Sequence, residues 1–304
     1  MSCRNMELEE RTGKLRYLPE ASGQIHIYMP QEEGYLQICM NLVDSRETNA
    51  YGWRLNMMYA CDDGLRPRFP ITSKGEYEAA IRIVGRPDFM GMGAHGSEQM
   101  TDFHILVNGS EVALEDLTAL ADWERIRICR DSDFYDPLDE VTHVATHRVV
   151  YDFDLSGLTV TQEVRWLAEA DCGYSYMMMF PVGRDYEGMQ ITDTYSDDGD
   201  PGEYDVSKAG FTGYPDLWLP GVGQMTLSSG KSGITAVMKR LESPELAGGG
   251  YRHCWNAPAY NKLYFTVCGG GDQIQRAVPG DRWCTKHRYE VTISKVQEDM
   301  TNGT

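Results

Sequence analysis

No stretch of this chain approaches the roughly 18 apolar residues that a membrane-spanning helix needs. The opening Met-Ser-Cys-Arg-Asn-Met-Glu-Leu-Glu-Glu also lacks the apolar segment of a signal peptide. Both absences point to a soluble protein of a reducing, cytoplasmic setting, although a virion component would look the same. Positive charge is scarce: 28 Lys and Arg face 46 Asp and Glu, a formal net charge of −18. Nucleic acid and anionic membrane surfaces both demand a basic face, so neither is expected as a partner. The eight cysteines contain no C-x-x-C pair, which argues against a zinc or redox motif. Several, such as Cys39 and Cys268, sit inside apolar runs and read as buried thiols. A nucleophile elbow, a phosphate-binding loop, a dinucleotide fingerprint and zinc-finger spacing are all missing. Hydride transfer and nucleotide chemistry therefore have no support, and acyl transfer has little.

What is present is a strand pattern. Runs of apolar–polar alternation closed by Gly, Pro, Asn or Asp fall at 24–29, 35–43, 52–60, 77–84, 102–107, 123–130 and 141–153. They continue at 158–167, 173–182, 188–195, 234–241, 261–268 and 284–295. Val107-Asn108-Gly109-Ser110 and Leu155-Ser156-Gly157-Leu158 read as hairpin turns. The one predicted helix, 111–121, is short and acidic. More than ten strands with few short helices imply an all-β fold, a large antiparallel β-sandwich, taken as one domain over 1–304. Residues 196–205 (SDDGDPGEYD) form an acidic loop or soft boundary, with clustered carboxylates leaving calcium as the lesser reading. Long sheet edges leave a homo-oligomer open.

Four of the seven histidines fall in two short stretches, and histidine is both the near-neutral titrating side chain and the commonest metal ligand. His143 and His147 belong to a strand, where residues four apart sit about 13 Å from each other, too far for one ion. Alternation puts His143, Ala145, His147, Val149, Tyr151 and Phe153 on one face. That face is either the wall of a ligand cleft or an ordinary half-buried sheet. The second stretch, Gly91-Met92-Gly93-Ala94-His95-Gly96-Ser97-Glu98, is glycine-rich enough for a ligand to approach the backbone closely. There His95 and Glu98 read as a base with its orienting carboxylate, or as ligands of a divalent metal completed by Asp102 or His104. A glycine-rich turn with surface polar groups is the plainer alternative. Glu163 and Arg165 share a face of the next strand, and Tyr174 and Tyr176 share one further on. The last third carries Trp218, Tyr251, Trp255, Tyr260, Tyr264, Trp283 and Tyr289, which serve either as sandwich core or as platforms for sugar rings.

Residues 141–182, then Asn261-Lys262-Leu263-Tyr264-Phe265 and Pro279-Gly280-Asp281-Arg282-Trp283, together resemble the supersandwich of galactose mutarotase-like domains, which also occurs in polysaccharide lyases. The resemblance covers roughly 90–295. It implies a sugar-binding face on which His, Tyr, Arg or Glu move protons. The N-x-x-x-H-x-[YF] stretch typical of mutarotases is absent. The resulting expectation is a carbohydrate-active enzyme of the β-elimination or epimerase type. His143 or His147 would take a proton and Tyr151 or His95 would donate one, while Arg165 neutralises developing charge, in preference to Arg148. Glu98, Tyr176 and Trp255 would contact the carbohydrate ligand, and no cofactor is implied beyond the open question of a divalent metal. The alternative is a non-catalytic glycan-binding or virion structural sandwich, in which the histidines would be dispersed.

Overall fold

Strict two-residue alternation decides the architecture. Along Arg125–Tyr135 and Gly157–Trp166 almost every second side chain is buried, as expected of strands with one face on a core. The structure is a computed structural model and describes residues 11–21, 23–200, 202–209 and 222–295. Cys3 and Trp218 lie outside the described residues.

Two sheets make the sandwich. The larger has sixteen strands among the described residues, with Ile234–Glu242, Arg282–Ile293, Gly157–Trp166, His143–Asp154, Arg125–Tyr135 and Glu98–Val107 as consecutive neighbours at its middle. The smaller has five: Arg252–Asn256, Tyr260–Cys268, Ala170–Gly183, Gln275–Ala277 and Ala80–Ile83. Every ladder is antiparallel except a short parallel contact that sets Ala50 and Tyr51 beside Glu98 and Gln99. Val149, Tyr151, Phe153 and Val160 of the large sheet pack in one core with Met178, Phe180, Leu263 and Phe265 of the small one. The opposite faces of those small-sheet strands point away from the core. The all-β sandwich read from the sequence is the observed fold.

Several local expectations change. Residues 111–121 hold no α-helix; only Leu114–Leu117 coils, as a 3-10 turn, after Ser110–Val112 has paired as a strand. Leu117 is its one buried residue, too little apolar contact to sustain a longer helix. The strand expected at 77–84 begins only at Ala80, and 188–195 breaks into Met189–Gln190 and Thr194–Asp197. The Asn108–Gly109 hairpin is as expected, with both residues at positive φ. In the acidic loop, of which Pro201 is outside the described residues, the carboxylates are already engaged. Asp197 takes the Gly199 and Asp200 amides, the Tyr195 hydroxyl and the Arg252 guanidinium, and Asp198 takes the Gly223 amide. Among the described residues no group of three or more His, Cys, Asp or Glu side chains is arranged to hold a metal ion.

His287 shows what the dry interior does to a titrating group. It is fully buried on Arg282–Ile293, with Nε2 3.0 Å from the Tyr289 hydroxyl. That hydroxyl itself donates to the Met179 carbonyl at 2.6 Å, so Nε2 carries the proton and donates. Nδ1 has no hydrogen-bond partner among the described residues, and burial depresses the imidazole to about 3. Between that value and the ordinary 6.5 the unfolded chain binds a proton that the native chain refuses. Stability is therefore complete above about pH 6.5 and falls below it by up to about 1.4 kcal/mol per unit for this group. Urea unfolding at pH 6.5 and 4.5 checks this. His287→Leu should lose less stability over that interval than the parent, by about 2 kcal/mol; equal losses would contradict it.

Candidate active site

The predicted site residues do not share one cleft. His147 and Tyr151 are fully buried between the sheets, on the face expected to line a ligand cleft. That face is instead the sandwich interior. His143 has left it: the register slips between Phe134 and Tyr135, so the ring stands beside Asp133, with Nε2 3.0 Å from its carboxylate, and tilts over Tyr135 at 5.6 Å. A one-residue slip reverses the side of every later side chain, which alternation alone cannot foresee. Arg165 is exposed on the outer face of the large sheet, paired in register with Thr146, and does not point toward His147. Asp102 and Glu111 clasp the exposed His104 from its two ring nitrogens, at 2.7 and 2.8 Å, far from a joint metal geometry with His95.

Glu98 faces the interior, away from His95. Its Oε1 receives Arg130 Nη2 at 2.8 Å and His147 Nδ1 at 2.8 Å, all three side chains being without exposure. Burial pushes the Glu98 carboxyl up, and the Arg130 guanidinium with the His147 ring outweighs it, holding the group below the ordinary carboxylate range. Arg130 also donates to the Trp53 carbonyl at 2.6 Å. Tyr151 donates at 2.6 Å to Glu78, whose Oε1 accepts the Leu55 amide at 2.9 Å as well. These groups are buried and have no solvent face, although Glu98 Oε2 and Arg130 Nε lack a hydrogen-bond partner among the described residues.

His95 is the predicted histidine that reaches a chemically open place. That place is the outer side of the small sheet. On Tyr260–Cys268, Leu263, Phe265 and Val267 enter the cores, so Lys262 and Tyr264 project the other way. The segment after Thr72 crosses above them and lays Glu76 against Lys262, with Glu76 Oε2 in close contact with Lys262 Nζ. The Lys262 side chain is almost buried, at 2% exposure, while that of Glu76 keeps 17%. Lys262 Nζ lies 4.8 Å from the Tyr264 ring, and Tyr176 stands 4.6 Å from Tyr264. Trp255, 47% exposed and in register with Lys262, closes one side with its ring 6.0 Å from Tyr260.

The glycine loop brings His95 to this cluster. Gly91 and Gly96 bond across the loop at 2.9 Å. Gly93 has φ +74, and a Cβ there would meet the Arg54 guanidinium at 1.9 Å, so only glycine lets Arg54 pass to the Gly75 carbonyl at 2.7 Å. His95 packs on Phe89 at 5.5 Å, and its buried Nε2 has no hydrogen-bond partner among the described residues. Burial lowers the imidazole, Glu76 and Asp88 oppose this, and Lys262 and Arg54 add to it, leaving the ring below its ordinary value. For Glu76, burial raises the carboxyl and Lys262, helped by His95 and Lys74, brings it below the usual range. Burial also lowers Lys262, which Glu76 counteracts. An ionised carboxylate and a neutral imidazole thus stand together among aromatic rings, a pairing able to accept and relay a proton.

Of the eight predicted residues, His95, Tyr176 and Trp255 belong to this arrangement, whereas Glu76 and Lys262 were missed. Lys262 left a trace: it is a lysine in phase with Tyr260 and Tyr264 on an otherwise apolar strand. Glu76 left none, because its partner lies 186 residues away.

No protein-family profile and no curated protein matches the chain. Among solved structures it is similar to a heparan sulfate lyase from Pedobacter heparinus, at 5% identity and TM-score 0.47, over 90% of this chain and 36% of that one. The chain thus spans about a third of the length of that lyase. It is also similar to galactose 1-epimerase from Lactobacillus acidophilus NCFM, at 10% identity and TM-score 0.40, over 94% of this chain and 99% of that one. These two stand for the groups that the sequence motifs resemble. The site is read from this chain's own side chains.

Replacing Lys262 by Met should raise the titration midpoint of the Glu76 carboxyl, because burial would then act without its opposing cation. Carboxyl carbon NMR across pH 2–8 measures it. A midpoint that stays or falls would contradict the pairing.

Proposed function

We propose that this chain is a carbohydrate-active enzyme that moves a proton on its sugar, with Glu76 and His95 as the catalytic pair on the outer side of the small sheet. The observation that carries the reading is the Glu76–Lys262 ion pair with His95 beside it, partly open to solvent and flanked by aromatic rings. Glu76 is held ionised and accepts a proton from a sugar C–H or hydroxyl. His95, neutral through burial, relays a proton from inside the cluster through its Nε2, which is buried and has no partner among the described residues. Lys262 keeps Glu76 oriented and offsets its charge. Burial raises the Tyr176 and Tyr264 phenols, so both stay protonated. The Tyr176 ring, with Trp255, suits the apolar faces of a sugar while its hydroxyls meet the charged centre, and Tyr264 backs them from below. β-Elimination and epimerisation both require such a pair, and they differ in whether a leaving oxygen departs.

Proton NMR of the chain mixed with a panel of mono- and oligosaccharides distinguishes these outcomes, through exchange at the sugar carbons or new vinyl signals. Glu76→Gln and His95→Asn, each confirmed folded by thermal melting, should reduce turnover by about 10²–10⁴-fold. Turnover within a few-fold of the parent in both variants would exclude the assignment.

A further inference from the structure

Glu76 and His95 themselves lie outside regular strands, although backbone pairing nearby joins Ala80 to Tyr176 and Ile81 to Met90. Loops that carry working side chains need another restraint, because backbone without ladder bonds opens most easily. Beside the backbone pairing and the bonds from Arg54 and Leu55, one buried amide beneath the site links several of its segments at once. Gln162, fully buried on Gly157–Trp166, accepts the Ala79 N–H at 3.1 Å through Oε1 and donates through its amide nitrogen to the Met177 carbonyl. Those two backbone partners determine which end of the amide is oxygen, since only oxygen accepts from an N–H and only nitrogen donates to a carbonyl. The same Oε1 stands 3.2 Å from His147 Nε2, and His147 Nδ1 stands 2.8 Å from Glu98 Oε1.

The sequence positions of these partners matter. Ala79 is three residues beyond Glu76, Met177 adjoins Tyr176, and Glu98 is three residues beyond His95. Three of the chain segments that supply the proposed site, those carrying Glu76, His95 and Tyr176, therefore end, directly or through His147, on a single side chain. We propose that Gln162 is a positioning residue that sets Glu76, His95 and Tyr176 relative to one another, with His147 as its arm to the glycine loop. This assigns the buried histidine a role through other residues, without contact to any ligand.

The inference takes its meaning from the reading of Glu76 and His95 as a working pair. Its test reads ring signals in place of turnover, so the two can fail separately. The full chain, labelled at histidine and tyrosine, is titrated by NMR as parent, as Gln162→Met and as Val160→Ala, a core truncation on the same strand. Gln162→Met should move the His95 midpoint upward, toward the ordinary imidazole value, and shift the Tyr176 ring signals. Val160→Ala should leave both in place even if it melts at the same temperature. Parent-like His95 and Tyr176 signals in folded Gln162→Met would overturn the proposal. Should that variant not fold, His147→Asn severs only the arm to Glu98. It should shift His95 and spare Tyr176, and an unmoved His95 would overturn the proposal equally.

Discussion

A carboxylate, a guanidinium and an imidazole buried together between two sheets are what the rest of this molecule depends on. Glu98, Arg130 and His147 have no exposure, and charges removed from water cost several kcal/mol each unless they find one another. Removing one member of such a group typically costs about 3–5 kcal/mol, because the remaining charge is left without compensation. A hydrophobic core would have stabilised the sandwich at least as well. What ionic groups add is direction: each hydrogen bond demands a particular partner at a particular angle. Here the demands converge on the turns at 77–79 and 96–98.

Those turns lead to the proposed site. The interior network stops at Ala79 and Glu98, and within three residues of each the chain emerges on the outer side of the small sheet with Glu76 and His95. The ion pair there is of a different kind. Lys262 is buried while Glu76 retains a solvent edge, so the carboxylate stays ionised and reachable. One group is enclosed between the sheets; the other pair keeps a narrow solvent edge on Glu76. The protein's strong negative charge has no bearing on either, since both are decided within a few ångströms.

The fold was legible because period-2 alternation is local, and it survives in strands such as Arg125–Tyr135 without knowledge of the partner strand. The same rule misled at His143, where a slip opposite Phe134 and Tyr135 turned the ring to the other face. It also placed His147 and Tyr151 correctly together, yet could not tell a cleft wall from a core face. Apolar neighbours such as Val149 and Phe153 favoured the core, and the core prevailed. Histidine content drew attention to the glycine loop at His95, on which the proposed site rests. The carboxylate beside it is Glu76, brought in by the fold, and not the neighbouring Glu98, which turns inward. Trp255 and Tyr176 were legible as aromatic contacts because a strand edge and an alternating face suffice to expose them.

The most direct measurement of the central claim is a crystal structure of the chain soaked with the saccharide that most raises its melting temperature. The account predicts sugar density against Trp255 and Tyr176, with a ring hydroxyl or carbon within hydrogen-bonding reach of Glu76 and His95. Density seated instead on the outer face of the large sheet, beside Glu163 and Arg165, would contradict it.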